Sequence, residues 1–252
     1  MSATLFLVPT ALDVGTAEAD ADLGDRLPLG TLRVAARLGH WVCENAKTTR
    51  AFLKRVDAVC PLARPVQTLA IVELPRPPKG RAAAAAVDVA PLLAPALAGN
   101  DVGLVSEAGL PALADPGAAL VAAAHAANVR VVALPGASSI ALAVAASGLN
   151  GQSFSFVGYL PIEAVERSER IRELETTSRR LAQTQVAIET PYRNPALLAA
   201  LLASLQPTTV LSVSVGLTLA SESTRSAPVG RWRADARGVP ADVPAVFAWL
   251  AR

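Results

Sequence analysis

The sequence predicts an α/β protein built on parallel strands, and three observations carry that expectation. Short β-branched runs alternate with alanine- and leucine-rich segments of helical length along most of the chain, which is the pattern of strand–helix units. Two such units stand back to back, each strand emptying into a glycine- and proline-bearing loop: Val102–Val105 runs into Ser106-Glu-Ala-Gly-Leu-Pro111 and Asp115-Pro-Gly117, and Val129–Leu134 into Pro135-Gly-Ala-Ser-Ser139. Aromatic residues make up only 4% of a chain that is 52% hydrophobic, so the core is expected to be small aliphatic side chains in packed layers.

Taken in order, Thr4–Val8 reads as the first strand, turned by Pro9-Thr10. Asp13–Asp25 carries five acidic residues and no basic one until Arg26, so it reads as a solvated acidic excursion without a functional role. Leu29–Leu38 has helical spacing, His40–Cys43 reads as a strand, and the polar cluster Glu44–Arg50 leads into a helix over Ala51–Ala58. Arg76–Gly80 is a stiff loop, and Ala82–Ala98 a helix interrupted at Pro91 and Pro95. The central units follow, with helices over Ala118–Ala127 and from a Ser138 or Ser139 cap to about Ser147. Asn150-Gly151 reads as a turn, and a domain boundary is expected there: residues 1–150 form one α/β domain and 151–252 a second. Ser153–Leu160, Gln185–Glu189 and Thr208–Val215 read as strands, Glu163–Leu181 and Pro195–Ser204 as helices. Thr224–Val229 and Gly230–Arg233 are basic strand candidates, and Val243–Leu250 an amphipathic terminal helix.

In a parallel sheet, ligands sit outside the carboxyl ends of the strands, where the two central loops lie. Gly109, Gly117 and Gly136 permit close approach, while Pro111, Pro116 and Pro135 limit freedom, so the loops are pre-shaped for a small polar ligand. Glu107 offers an acceptor there, and the amides opening the helix after Ser138 offer donors. The net charge is +2 and the pI about 8.8, which neither demands nor excludes nucleic acid. Between Lys47 and Arg81, however, eight basic residues (Lys47, Arg50, Lys54, Arg55, Arg64, Arg76, Lys79, Arg81) face only Asp57 and Glu73, a local excess of six positive charges. That bias suits a polyanion, though a solvated basic face has the same composition. Cys43 and Cys60, seventeen residues apart, fit no disulfide framework or zinc pattern and read as buried thiols. The amino terminus lacks the positive region of a signal peptide, and the apolar stretch Ala118–Leu149 is broken by His125, Arg130, Pro135 and Gly136, so a cytoplasmic protein without a membrane span is expected.

Leu7-Val-Pro-Thr10, Val105-Ser-Glu-Ala-Gly-Leu-Pro111 with Ala114-Asp-Pro-Gly117, Leu134-Pro-Gly-Ala-Ser138, Gly158-Tyr-Leu-Pro161 and Glu189-Thr-Pro-Tyr-Arg193 occur in an order that resembles the tetrapyrrole methylase superfamily. The similarity covers nearly the whole chain and is greatest to the branch that methylates a ribose 2′-hydroxyl of small-subunit ribosomal RNA. It implies two α/β domains with a cofactor cleft between them, S-adenosylmethionine as methyl donor and a homodimer. The sequence departs from that branch at three places. Ala11-Leu-Asp13 replaces a Gly-Asn pair, Glu44-Asn-Ala-Lys47 a Glu-Asp-Thr-Arg cluster, and Glu73-Leu-Pro-Arg-Pro-Pro78 a histidine-bearing segment.

Cofactor contacts are accordingly expected from Pro9, Ser106, Glu107, Gly109, Leu110, Pro111, Ser138, Ser139 and Ile140. Methyl transfer from a sulfonium is an in-line displacement, so the protein aligns donor and acceptor and takes up the acceptor's proton. Glu44 or Glu189 is the candidate base, with Lys47, Arg50 or Arg193 anchoring substrate; each could equally serve as a surface ion pair or a cap. The drifted segments leave three readings open: transfer to rRNA or the small ribosomal subunit, transfer to a small heterocyclic molecule, and S-adenosylmethionine binding without catalysis.

Overall fold

The computed structural model describes residues 3–13, 22–75, 88–235 and 238–251. Most of the acidic stretch after Asp13, the Arg76–Gly80 loop with Lys79, Arg81, and the first part of the helix expected over Ala82–Ala98 lie outside the described residues. The chain divides into two compact units, Met1–Ala137 and Ser138–Arg252.

The first unit is a five-stranded sheet of β1 (Thr4–Leu7), β2 (His40–Cys43), β3 (Ala70–Glu73), β4 (Val102–Val105) and β5 (Arg130–Ala133), all parallel, in the order β3-β2-β4-β1-β5. Its helices are α1 (Leu29–Arg37), α2 (Ala46–Val59), the single turn α3 (Ala94–Leu97) and α4 (Ala118–Ala126). Alternate strand residues enter two separate cores. Phe6, Val8, Trp41 and Cys43 join Leu32, Ala35, Phe52, Leu53 and Val56 of α1 and α2; Leu5, Leu7, Val42, Val102 and Leu104 join Leu93, Ala96, Leu120 and Ala124. Burial on both faces is why these strands read as near-continuous apolar runs. The edge strand β3 is absent from the sequence expectations, because four residues with Val72 half exposed carry too weak a pattern. α2 begins five residues before its expected start: Asn45 Oδ1 accepts from the amides of Lys47 (2.9 Å) and Thr48 (3.4 Å), and Glu73 Oε1 from that of Ala46 (2.8 Å). These bonds satisfy amides that the helix itself leaves unpaired.

The second unit is a mixed sheet of β6 (Phe154–Gly158), β7 (Thr184–Glu189), β8 (Val210–Val215), β9 (Ser223–Pro228) and β10 (Ala245–Leu250), ordered β6-β7-β10-β8-β9. Only β6 and β7 pair in parallel; the other pairings are antiparallel. Helices α6 (Ala164–Leu181) and α7 (Asn194–Ser204) bury Ile171, Leu174, Leu197, Leu198 and Leu201 against Ala187, Leu211, Val213, Phe247 and Trp249. The buried carboxylate of Glu175 on α6 accepts from the Gln206 amide (2.8 Å) and the Thr209 hydroxyl, which ties α6 to the turn before β8.

Three expectations are corrected here. Val243–Leu250 is not a helix: Ala245–Leu250 is β10, the central strand, buried at five of its six positions and paired on both sides. A six-residue apolar run has no periodicity that separates strand from helix. Gly230–Arg233 is not a strand but part of α8 (Val229–Ala234), where Trp232 is buried, its Nε1 donating to Leu211 O (2.9 Å), and Arg233 donates to the carbonyls of Leu202 and Leu205 at the end of α7. The boundary expected after Asn150 falls inside the second unit, because α5 (Ser139–Ser147) packs on β8, β9 and β10, and Ser226 Oγ donates to Ser147 O (2.6 Å). Asn150 is a turn within that unit, its Oδ1 accepting from the amides of Gln152 and Ser153. Among the described residues no helix is long and apolar enough to cross a membrane.

Gly103, in the middle of β4, is required by its neighbour: a Cβ there would stand 2.6 Å from the Trp41 ring and 3.0 Å from Leu38. The ring is 1% exposed and held by a hydrogen bond from Nε1 to Leu38 O (3.3 Å), so it cannot swing aside. Gly→Ala in a strand is ordinarily favourable on entropic grounds, yet Gly103→Ala is expected to destabilise the protein by about 1–3 kcal/mol through overpacking. Urea unfolding monitored by tryptophan fluorescence measures this, and a midpoint at or above that of the wild type would contradict it.

Candidate functional site

At the carboxyl edge of the first sheet, strand pairing continues into the loops. Val8 N donates to Leu104 O (2.8 Å), and Thr10 and Gly109 exchange backbone hydrogen bonds of 2.9 and 3.3 Å as an isolated antiparallel bridge. Thr10 Oγ1 reaches Ser106 O at 3.5 Å. The loop after β5 lies directly on Pro9, since a Cβ on Gly136 would be 2.2 Å from the proline ring. Pro9 and the Ser106–Pro111 loop are thus brought together with Gly136. Gly109 has φ +75°, and its missing Cβ would meet Leu12 at 3.2 Å, so the glycine serves the loop's own conformation and packing. The same loop holds Ala112 and Ala114 in the left-handed region (φ 65° and 66°), a conformation that costs a non-glycine residue about 1–2 kcal/mol.

Three carboxylates converge at this edge: Glu44 from the end of β2, Glu107 from the end of β4 and Asp115 from the loop beyond. Glu107 N donates to Glu44 Oε2 (3.3 Å), and Glu44 N to Val105 O (3.3 Å). Burial pushes the Asp115 carboxyl up to about 6; the neighbouring charges of Glu44 and Glu107 add to the rise, and a hydrogen bond with Ser106 opposes it. Beside them a cavity of about 30 Å³ is lined by Thr10, Ala11, Thr48, Thr49, Phe52, Arg55, Ser106 and Glu107, room for about one water molecule. Lys47 stands in the first turn of α2 with its side chain exposed.

Asp13 corrects the reading of a solvated acidic excursion. Its side chain is fully buried and takes both Arg55 guanidinium nitrogens, at 3.1 and 2.8 Å. A bidentate pair of this kind is structural, and it pins the loop after β1 to α2.

In the second unit, Ser138 is the helix cap, its Oγ accepting from Ala141 N (3.4 Å); Ser139 begins α5 and Ile140 is buried in its core face. Glu189 and Arg193 are brought together at 3.3 Å. Glu189 Oε1 also accepts from Thr190 N (2.8 Å) and Thr190 Oγ1 (3.2 Å), so both its oxygens are engaged in holding the Thr190–Arg193 turn. Sequence reasoning passed over Asp115, Asn45, Glu73 and the Asp13–Arg55 pair. Asn45 was legible as a cap residue before a helix; Asp115 reads only as the turn residue of Asp-Pro-Gly, and nothing local links Asp13 to Arg55.

Residues 26–231 match the family model described as tetrapyrrole (corrin/porphyrin) methylases. Among curated relatives, the ribosomal RNA small subunit methyltransferase I of Vibrio cholerae is 41% identical over 97 residues, 38% of this chain and 32% of that protein. The protein of the same name from Synechocystis is 38% identical over 134 residues, 53% of this chain and 44% of that one. That from Streptococcus pyogenes serotype M3 is 32% identical over 195 residues, 76% and 57% respectively. The chain thus spans between about a third and just over half of these relatives' lengths. In fold it is similar to the crystal structure of uroporphyrin-III C-methyltransferase from Thermus thermophilus (TM-score 0.53, 19% identity, 99% of this chain and 93% of that). It is also similar to a conserved hypothetical protein of Aeropyrum pernix K1 (TM-score 0.60, 18% identity, 100% and 86%).

A carboxyl whose folded-state value lies near 6, above its unfolded value, binds more protons folded than unfolded between about pH 4 and 6, so its contribution to stability falls as pH rises through that window. Asp115→Asn removes the ionising group while keeping its size. The variant should match the wild type near pH 4, gain on it up to pH 6 and keep a constant advantage above. Melting temperatures of both proteins from pH 4 to 8 check this; an advantage that shrinks with rising pH would contradict it.

Proposed function

The chain belongs to the tetrapyrrole methylase family, and from that premise we propose that it is an S-adenosylmethionine-dependent methyltransferase acting on the RNA of the small ribosomal subunit. The observation that carries this reading is the convergence of Pro9, the Ser106–Pro111 loop and the carboxylates of Glu44, Glu107 and Asp115 at one strand edge, in a chain whose relatives are named ribosomal RNA small subunit methyltransferase I. The bound cofactor supplies an electrophilic methyl group on a sulfonium. The donor set fits such a group: anionic Glu44 and Glu107 complement a cationic sulfonium and an amino group, and carboxylates accept from ribose hydroxyls.

The chain's own residues then have three tasks. The Thr10–Gly109 bridge and the Gly136–Pro9 contact fix the loop walls, so binding energy is not spent on ordering them. Glu44 takes the acceptor hydroxyl's proton. Among the described residues one of its oxygens carries no hydrogen bond, whereas both oxygens of Glu189 are engaged. Lys47, in the first turn of α2 and three residues after Glu44, is the anchor for an RNA phosphate, while Arg193 serves Glu189.

Transfer of labelled methyl groups from S-adenosylmethionine to small ribosomal subunits and to total RNA, alongside calorimetric titration of the cofactor, tests the reading. Saturable cofactor binding and RNA labelling are expected, and Glu44→Gln should lower kcat by about 10²–10⁴-fold. No saturation at millimolar cofactor would overturn the methyltransferase reading, and labelling of a small heterocycle in place of RNA would overturn the acceptor.

A further inference from the structure

The eight basic residues between Lys47 and Arg81 do not act as one group. Arg55 is committed to Asp13. Arg64 stands with Arg37, His40 and Asp101 around a cavity of about 320 Å³ at the amino-terminal ends of β2 and β4, the edge away from the carboxylates. Arg76, Lys79 and Arg81 lie outside the described residues. What remains is Lys47, Arg50 and Lys54, spaced i, i+3, i+7 on α2, which places them in one row along its solvent side. All three are exposed, and among the described residues none has an ion-pair partner. The helix's single acid, Asp57, accepts at Oδ1 from the Leu62 amide (2.8 Å).

Such a row is unfavourable by itself. Lys47–Arg50 and Arg50–Lys54 are like-charge pairs at i,i+3 and i,i+4, which oppose helix formation. A merely solvated charged helix looks different, and α6 of the same chain shows it: glutamates and arginines interleave there, with Arg170 and Glu173 paired at 2.6 Å. The row is also rigidly held. The opposite side of α2 buries Phe52, Leu53 and Val56 in the core, and Asn45 and Glu73 fix its first turn at the strand edge that carries Glu44. From Lys47 to Lys54 the helix rises about 10 Å, so the row extends from the candidate site outward over the length of more than one nucleotide.

We infer that the Lys47–Arg50–Lys54 face of α2 is a binding surface for single-stranded RNA, a phosphate track that leads the acceptor nucleotide to Glu44. This deepens the proposed function and rests on it for the identity of the polyanion. Neutralised phosphates release counterions, about 0.7 units of salt slope for each on a single strand.

Fluorescence anisotropy of a labelled single-stranded RNA of small-subunit sequence, titrated with the full chain at several salt concentrations, tests the surface. Lys47→Gln/Arg50→Gln/Lys54→Gln is expected to reduce the slope of log K against log salt by about 2, and each single variant by about 0.7. Arg64→Gln, at the other strand edge, should leave the slope in place. The triple variant loses like-charge repulsion, so its melting temperature should be at or above that of the wild type; if it melts earlier, the three single variants decide. A wild type that methylates RNA, with basic-face variants of undiminished slope, overturns the surface alone. A wild type that binds S-adenosylmethionine but neither binds nor methylates RNA overturns the acceptor reading and the surface with it.

Discussion

A parallel sheet covered on both faces can place polar chemistry only at the ends of its strands, and the first unit is built under that constraint. The buried positions of β1, β2 and β4 hold Leu, Phe, Val, Trp and Cys43, a glycine that makes room for Trp41, and a single polar residue, Thr4 at the start of β1. Polar side chains in this unit therefore gather where strands stop: Thr10 after β1, Glu44 and Asn45 after β2, Ser106 and Glu107 after β4. Because β1 and β4 are neighbours in the sheet, their loops emerge side by side, and the Thr10–Gly109 bridge needs no side chain to hold them there. The site's geometry follows from strand order before any particular side chain is chosen.

The two units solve the burial of charge differently. In the first, Asp13 disappears into the interior with a bidentate arginine partner, and removal of the arginine would take from a fully buried carboxylate its paired cation. In the second, Glu175 is buried with neutral donors, the Gln206 amide and the Thr209 hydroxyl. Both carboxylates stitch a helix to a loop distant in sequence. Both are engaged in holding the fold, whereas Glu44 and Glu107 are only partly buried at the strand edge.

The sequence made the strand–loop–helix units legible because their periodicities are local: β1, β2, β4, β5, α1 and α4 lie within a residue or two of where their patterns put them. It misled where an element's identity is decided by its neighbours. Ala245–Leu250 is a strand because β7 and β8 flank it, and the same six residues in isolation carry no sign of that. Gly230–Arg233 is helical because Trp232 has a core to enter and Arg233 finds the carbonyl end of α7. For the candidate site, the Ser106–Pro111 loop stood out through its glycine and proline content and Pro9 through the motif that carries the family resemblance, and the two lie at one strand edge. The separate duties of the acidic residues were not legible, since charge alone does not tell a buried tie such as Asp13 from a surface carboxylate.

Cys43, at the end of β2 beside β3, is fully buried, its Sγ 3.6 Å from Val72 O, and burial holds its thiol above the ordinary range; Cys60 is 9% exposed at the end of α2. Both belong to the first unit, and the sequence contains no other cysteine. Only the thiolate reacts with alkylating reagents, so modification has to wait for a transient opening that uncovers the sulfur. The rate of labelling with a thiol reagent is therefore an intrinsic clock for the opening of the unit that carries Glu44, and the second unit contributes nothing to its signal.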